Sequence, residues 1–186
     1  MTNSDNAPVL NRHVTLVGLM GVGKTTIGRR LARRLNADFA DADEEVERAA
    51  GRSVSEIFAD FGEAAFRDGE RKVIARLLEE PAPMIIGLGG GAFINDETRA
   101  LIKAQAISVW LKADLEVLVE RVSRKPGARP LLAHGDPAEI MARLERERSP
   151  IYAQADIVVD TSVGSHEQSA DQVLDALAQY QDSYAR

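Results

Sequence analysis

The sequence predicts a three-layer α/β fold, a five-stranded parallel sheet with helices on both faces, in a chain of 186 residues. Three observations predict it. Apolar runs of strand length alternate with amphipathic helical stretches along the chain, the pattern that builds a parallel sheet covered by helices. The run VTLV at residues 14–17 feeds straight into GLMGVGKTT, where Gly18, Gly23, Lys24 and Thr25 fill every fixed position of G-x-x-x-x-G-K-[ST]. A second run, at residues 84–88, ends in three consecutive glycines, at a strand end where open α/β sheets bind ligands. The expected architecture is therefore phosphate-loop NTPase-like.

A chain of this length makes one domain whose core needs no disulfide or metal staple. Cysteine is absent, which excludes a disulfide framework, a thiol nucleophile and a thiolate metal site, and suits a reducing cytoplasm. No apolar run approaches membrane-spanning length, and the first residues have no apolar signal core, so neither a membrane partner nor export is expected. A net charge of −6 argues against a nucleic-acid partner. Of 23 basic residues only Lys24, Lys72, Lys103, Lys112 and Lys125 are lysine. Arginine suits bidentate capture of phosphate or carboxylate, but a GC-rich genome gives the same bias, so only arginines with a positional argument count below.

Taken in order, residues 1–12 are polar and read as a flexible tail, leaving 13–186 as a single domain. After the loop, Ile27, Leu31 and Leu35 form one apolar face of a helix that Asn36 terminates. DFADAD is a second strand ending in Asp41 and Asp43, which point the same way in an extended segment. From residue 44 to 80 the pattern is helical: EEVERAA closes at Gly51, Ser53 caps SEIFADFG, and EAAFRDGERKVIARLLEE keeps a helical period. That stretch exceeds an ordinary crossover, so a substrate-covering insertion is expected at about 43–75. Pro81 and Pro83 stop the helix, and MIIGL is a buried third strand running into Gly89, Gly90 and Gly91. Those glycines form either a tight exit turn, with Asn95 or Asp96 capping the next helix, or a place where backbone approaches a ligand; the strand-end position favours the ligand. ISVWLKA is the fourth strand and LEVLVERVSRK a helix. KPGARPLLAHGDP, rich in Gly, Pro and Arg, is a candidate lid at about 124–136. EIMARLERERS is a helix expected to end before Pro150, ADIVVDT the fifth strand and HEQSADQVLDALAQY the closing helix.

Polyphosphate oxygens crowd backbone, and glycines let successive N–H groups face one concavity, so Gly21, Val22, Gly23, Lys24, Thr25 and Thr26 are the expected nucleotide cradle. Lys24 reaches the β- and γ-phosphates, and the Thr25 hydroxyl ligates Mg²⁺. The usual second carboxylate of such proteins is missing, because residues 84–88 end in glycine. Asp41 is the natural substitute, holding Mg²⁺ through water, and Asp43 then faces the acceptor.

Read together, GLMGVGKTT, DADEEVE, FRDGE with Phe66 and Arg67, GLGGGA, RPLL from Arg129 and RERSPIYAQAD with Arg148 resemble the shikimate kinase family, in that order and spacing, over residues 14–161. The resemblance implies transfer of the ATP γ-phosphate to the 3-hydroxyl of shikimate, a step in making aromatic amino acids, with Mg²⁺ as cofactor and ATP as co-substrate. It implies Asp43 as base or orienting group on the acceptor hydroxyls, alongside Lys24 and Arg129 in catalysis. Arg67 and Arg148 would bind the shikimate carboxylate, Glu70 would orient Arg67, and Gly89, Gly90 and Gly91 would contact substrate by backbone. Arg129 would swing in with the lid, and Arg124 would lie over adenine, with Lys125 as the alternative match. Taken singly, Arg67 and Glu70 also fit a surface ion pair, Arg148 a solvated helix end and Asp43 a helix cap; their joint register carries the functional reading. A gluconate kinase, or a non-catalytic nucleotide-dependent binding module, is the alternative. A monomer in the cytoplasm is expected.

Overall fold

The computed structural model describes residues 8–124, 130–132 and 135–184. Five strands, β1 (His13–Val17), β2 (Asp38–Asp41), β3 (Met84–Gly87), β4 (Ala106–Lys112) and β5 (Ile157–Asp160), form one sheet in the order β2-β3-β1-β4-β5, every pair parallel. Helix α1 (Lys24–Leu35) packs on α7 (His166–Tyr184) along one face. On the other, α4 (Asp96–Gln105) packs on β4 and on α3 (Val54–Glu79). Helices α2 (Ala42–Ala50), α5 (Leu115–Ser123) and α6 (Pro137–Tyr152) complete the layers. The core is the sheet interior: Leu16, Ile85, Ile86, Val109 and Leu111 are fully buried, matching the continuous apolar runs that parallel strands require.

Local chemistry fixes the boundaries. Helix α1 closes where Asn36 turns left-handed at φ 49°, and α2 where Gly51 does so at φ 64°. Ser53 and Glu56 make a reciprocal capping box that starts α3, and Asn95 caps α4 by accepting from the Thr98 N–H. Within the segment expected as a tail, Leu10 is buried and Arg12 donates to the carbonyls of Lys103 and Ala106.

Two expectations fail. Helix α6 does not stop before Pro150 but runs through it to Tyr152. Proline forfeits one N–H bond and crowds one carbonyl, and here that cost falls in the final turn, where the Ala153 N–H still reaches Ser149 O and buried Tyr152 anchors the end. Asp43 is not a strand residue either: β2 ends at Asp41, whose side chain accepts from the backbone N–H groups of Asp43 and Glu44 and so starts α2. The strand-like alternation of DFADAD loses to the cap.

Register positions the site. Leu16 pairs with Gly87 and Gly87 with Asp41, so the carboxyl ends of β1, β3 and β2 lie side by side. The phosphate loop, the three-glycine turn and the start of α2 therefore issue from one sheet edge, at the strand order's reversal point.

Candidate active site

The loop after β1 is shaped by what surrounds it. A Cβ on Gly18 would stand 2.5 Å from the Leu111 carbonyl oxygen, so no side chain fits there. Gly23, at φ 98°, caps α1 without any side-chain hydrogen bond, and the first turn of α1 holds no acidic residue. That arrangement leaves the positive end of the helix dipole facing the loop. Lys24 Nζ donates to the carbonyls of Gly18 at 2.8 Å and Leu19 at 3.1 Å, folding the cation back over the cradle. Thr25 Oγ1 donates to Asp41 Oδ2 at 2.6 Å, while Asp41 Oδ1 caps α2. The hydroxyl and carboxylate are hard oxygen donors held together on two different elements, and that donor set fits Mg²⁺.

A cavity of about 500 Å³ opens over this loop, lined by Gly21, Gly23, Lys24, Thr25, Thr26, Asp41 and Asp43. A second, of about 240 Å³, lies between α3 and α6 and is lined by Arg67, Arg148, Val54, Phe58, Phe66, Gly91 and Leu131. Met20, Asp43, Gly89 and Gly90 line both. The two chambers thus meet at a carboxylate and a glycine turn.

Asp43 sits in the first turn of α2, and its carboxyl is pushed up from 3.8 to about 6. Burial is the leading cause, followed by the negative charges of Glu70 and Asp41, with Lys24 and Arg67 opposing. Arg67 Nη1 donates to Glu70 Oε2 at 2.8 Å, and Glu70 is only 2 % exposed, so this is no solvated surface pair. Burial raises the Glu70 carboxyl, working against Arg67 and Arg148; the Arg67 guanidinium is raised in turn because Glu70 and Glu63 outweigh its burial. Arg148 is buried on α6 with Nη1 unpartnered, and Glu70 Oε1 is likewise unpartnered. A buried guanidinium edge without an acceptor costs stability that a bound anion recovers.

The three glycines explain how so many charges share so little room. A Cβ on Gly89 would stand 2.5 Å from Glu70 Oε1, on Gly90 3.0 Å from Arg148 Nη1, and on Gly91 2.5 Å from Arg67 Cζ. Gly89 clears space for Glu70 and for Asp43, whose Oδ1 would lie 2.8 Å from that Cβ, and Gly90 and Gly91 each clear space for one arginine. Gly91→Ala should leave the fold nearly intact, since the clash falls on the movable end of an arginine, yet displace Arg67. Thermal melting is expected to shift little while the acceptor's KM rises roughly tenfold or more; an unchanged KM would break the link between turn and arginine.

Among the residues expected from sequence, Arg124 lines the larger cavity but pairs with Glu120 in the structure. Arg129 and Lys125 lie outside the described residues, as does most of the segment expected as a lid. Sequence reasoning missed Met20, Arg121 and His166 in the larger cavity and Leu131 in the smaller. Arg121 Nη1 donates to the Gly21 carbonyl at 3.3 Å, and its position one turn before Arg124 was a usable signal. His166 carried none: it comes to Gly23 through the packing of α7 on α1, where Ala170, Val173 and Leu177 are buried and Glu167 pairs with Arg30 and Arg34.

Comparison with known proteins agrees with this geometry. The family model described as shikimate kinase matches residues 20–178. A shikimate kinase of Caulobacter vibrioides is 55% identical over 179 residues, covering 96% of this chain and 88% of that protein. The structure of shikimate kinase from Acinetobacter baumannii in complex with shikimate superposes with a TM-score of 0.87 at 32% identity, covering 92% of this chain and 95% of that one. A gluconokinase from Sinorhizobium meliloti reaches a TM-score of only 0.58 at 17% identity over 96% of this chain and 100% of its own, a likeness of fold alone. With the phosphate loop, the paired chambers and the three-glycine turn in place, the chain belongs to the shikimate kinase family.

Proposed function

We propose a division of labour between the two chambers by which the chain transfers the γ-phosphate of ATP to the 3-hydroxyl of shikimate. The observation that carries it is the meeting of a phosphate-loop cavity and a cavity carrying two arginines at one half-buried carboxylate, Asp43.

ATP occupies the larger chamber, its phosphates on the loop N–H groups of residues 21–26 and on Lys24. Thr25 and Asp41 would hold Mg²⁺, which when bound would supply positive charge to offset that of the transferring phosphates. Shikimate occupies the smaller chamber with its carboxylate between Arg67 and Arg148, whose unpartnered Nη1 gains an acceptor there. Glu70 fixes the Arg67 fork through its 2.8 Å bond. That orientation turns the hydroxyl edge of the ring toward Asp43, which is ionised at neutral pH and accepts or orients the hydroxyl proton as the oxygen attacks. Gly89, Gly90 and Gly91 supply backbone contacts along one side of the ring. Arg129, with its lid, brings a further cation to the transferring phosphoryl, and Arg124 covers adenine. The segment 43–75, read as a substrate-covering insertion, takes in α2 and all but the last turn of α3, which bends at Gly62 (φ 82°). No described helix is long and apolar enough to cross a membrane; the proposed kinase is a cytoplasmic monomer.

Removing either arginine tests the carboxylate end. Arg67→Ala and Arg148→Ala should each raise the shikimate KM by roughly 10- to 100-fold, the worth of charge-assisted hydrogen bonds, with the ATP KM nearly unchanged. Lysine at position 67 should restore little, because it cannot present two parallel donors. Steady-state kinetics with the methyl ester of shikimate supply the check: if the ester binds as tightly as the acid, the carboxylate does not lie between these arginines.

A further inference from the structure

Behind the acceptor chamber, Tyr152 joins the glycine turn to α6. The side chain is only 1 % exposed, and it does not line the chamber. Its hydroxyl donates to the Gly90 carbonyl oxygen, and its ring packs on Trp110 at a centroid distance of 5.9 Å. Arg148 lies one helical turn earlier on the same helix, and a Cβ built on Gly90 would meet both Arg148 Nη1, at 3.0 Å, and the Tyr152 hydroxyl, at 3.7 Å. Turn, guanidinium and hydroxyl form one packed cluster. Burial raises the phenol, and the adjacent Arg148 charge works against that rise, so the hydroxyl stays protonated and remains a donor.

We propose that Tyr152 is a positioning residue for shikimate capture, locking the Gly90–Gly91 peptide and Arg148 into one register. In a planar trans peptide the Gly90 carbonyl and the Gly91 N–H point in opposite directions. A hydroxyl that holds the carbonyl behind the wall therefore aims the Gly91 N–H to the chamber side. The same hydroxyl sets how far the turn stands from α6, and hence where the Arg148 edge sits relative to the backbone donors. Satisfying a buried carbonyl could be done by water or by a neighbouring backbone group. A donor carried one turn from Arg148 couples two parts of the substrate's binding surface. The inference rests on the placement of shikimate in the smaller chamber.

The test is steady-state kinetics of Tyr152→Phe, which keeps the ring on Trp110 and removes only the hydroxyl, together with Arg148→Ala and the double variant. The shikimate KM of Tyr152→Phe should rise roughly three- to tenfold, the worth of one hydrogen bond, while kcat and the ATP KM stay within about twofold. In the double variant the two increases should fall well short of multiplying, because residues that act as a unit are not additive. A purely structural hydroxyl would lower the melting temperature and leave the shikimate KM alone. That result, equal rises in both KM values, or increases that multiply in full would overturn the proposal while leaving shikimate's placement standing. If Arg148→Ala itself leaves the shikimate KM unchanged, the placement is wrong and the proposal falls with it.

Discussion

Asp43→Asn is expected to abolish most turnover and to make the protein more stable at the same time. Asparagine keeps the shape and the position in the first turn of α2 but cannot accept a proton, so kcat should fall by roughly 10² to 10⁴, the usual worth of a positioned base. The ATP KM should change little, since the phosphates are held by the loop. Stability moves the other way because desolvation and the nearby Glu70 and Asp41 charges push the half-buried Asp43 carboxyl up from 3.8 to about 6. Its folded pKa lies above the unfolded one, so ionisation opposes folding: the contribution is favourable below about pH 4 and is lost as the pH rises through 6. At pH 8 the asparagine variant should therefore gain on the order of 2 kcal/mol over the parent, and at pH 4 the two should melt alike. The parent's kcat/KM should in turn fall as the pH drops below about 6. A variant that loses stability at pH 8, or keeps its kcat, would mean that Asp43 is not an ionised carboxylate at the junction of the chambers.

Lys24→Met should remove phosphoryl transfer nearly as completely without disturbing the fold. Its ammonium is held by the Gly18 and Leu19 carbonyls at the rim of the cradle, while the loop's path is dictated by the crowding of Gly18 against Leu111 and by the left-handed Gly23. A methionine of similar length leaves those constraints in place and removes the charge that meets the β- and γ-phosphates. The loss in kcat should be about 10²- to 10³-fold or more, the scale of one preorganised electrostatic contact in a dry site. Circular dichroism and melting should stay close to those of the parent. Normal turnover in this variant would mean that the phosphate loop does not bind the transferring group.

How much of this was legible in the sequence depended on whether the cause was local. The phosphate loop could be read because its function lies in backbone geometry that only certain residues permit. The caps at Asn36, Gly51 and Ser53, and at Asn95 with Asp96 as the alternative, could be read because each acts on N–H or carbonyl groups within a few residues; the part Glu56 plays beside Ser53 was not. Asp43, expected on a strand, lies in α2 where it lines both cavities, since alternation along DFADAD competes with Asp41 as a helix cap and sequence alone does not weigh the two. Pro150 was misjudged because its cost depends on how many turns remain after it and on what anchors the last one. His166 and Tyr152 were invisible for a different reason: their roles come from contacts between residues far apart in the chain, as when the Tyr152 hydroxyl meets Gly90 or His166 meets Gly23. The three glycines fell between these cases. Their place at a strand end pointed to a ligand, but not to the charged side chains of Asp43, Glu70, Arg67 and Arg148 that they accommodate.

The central claim is that a phosphoryl group crosses from the phosphate-loop chamber, past Asp43, to one hydroxyl of an acid held by Arg67 and Arg148. The most direct test is to identify the phosphorylated product by phosphorus NMR while counting ADP, with shikimate, 3-deoxyshikimate and gluconate offered in turn. The account predicts one shikimate 3-phosphate for each ADP released and turnover with neither of the other two acids. Phosphate on a different hydroxyl, or comparable turnover with gluconate, would contradict it.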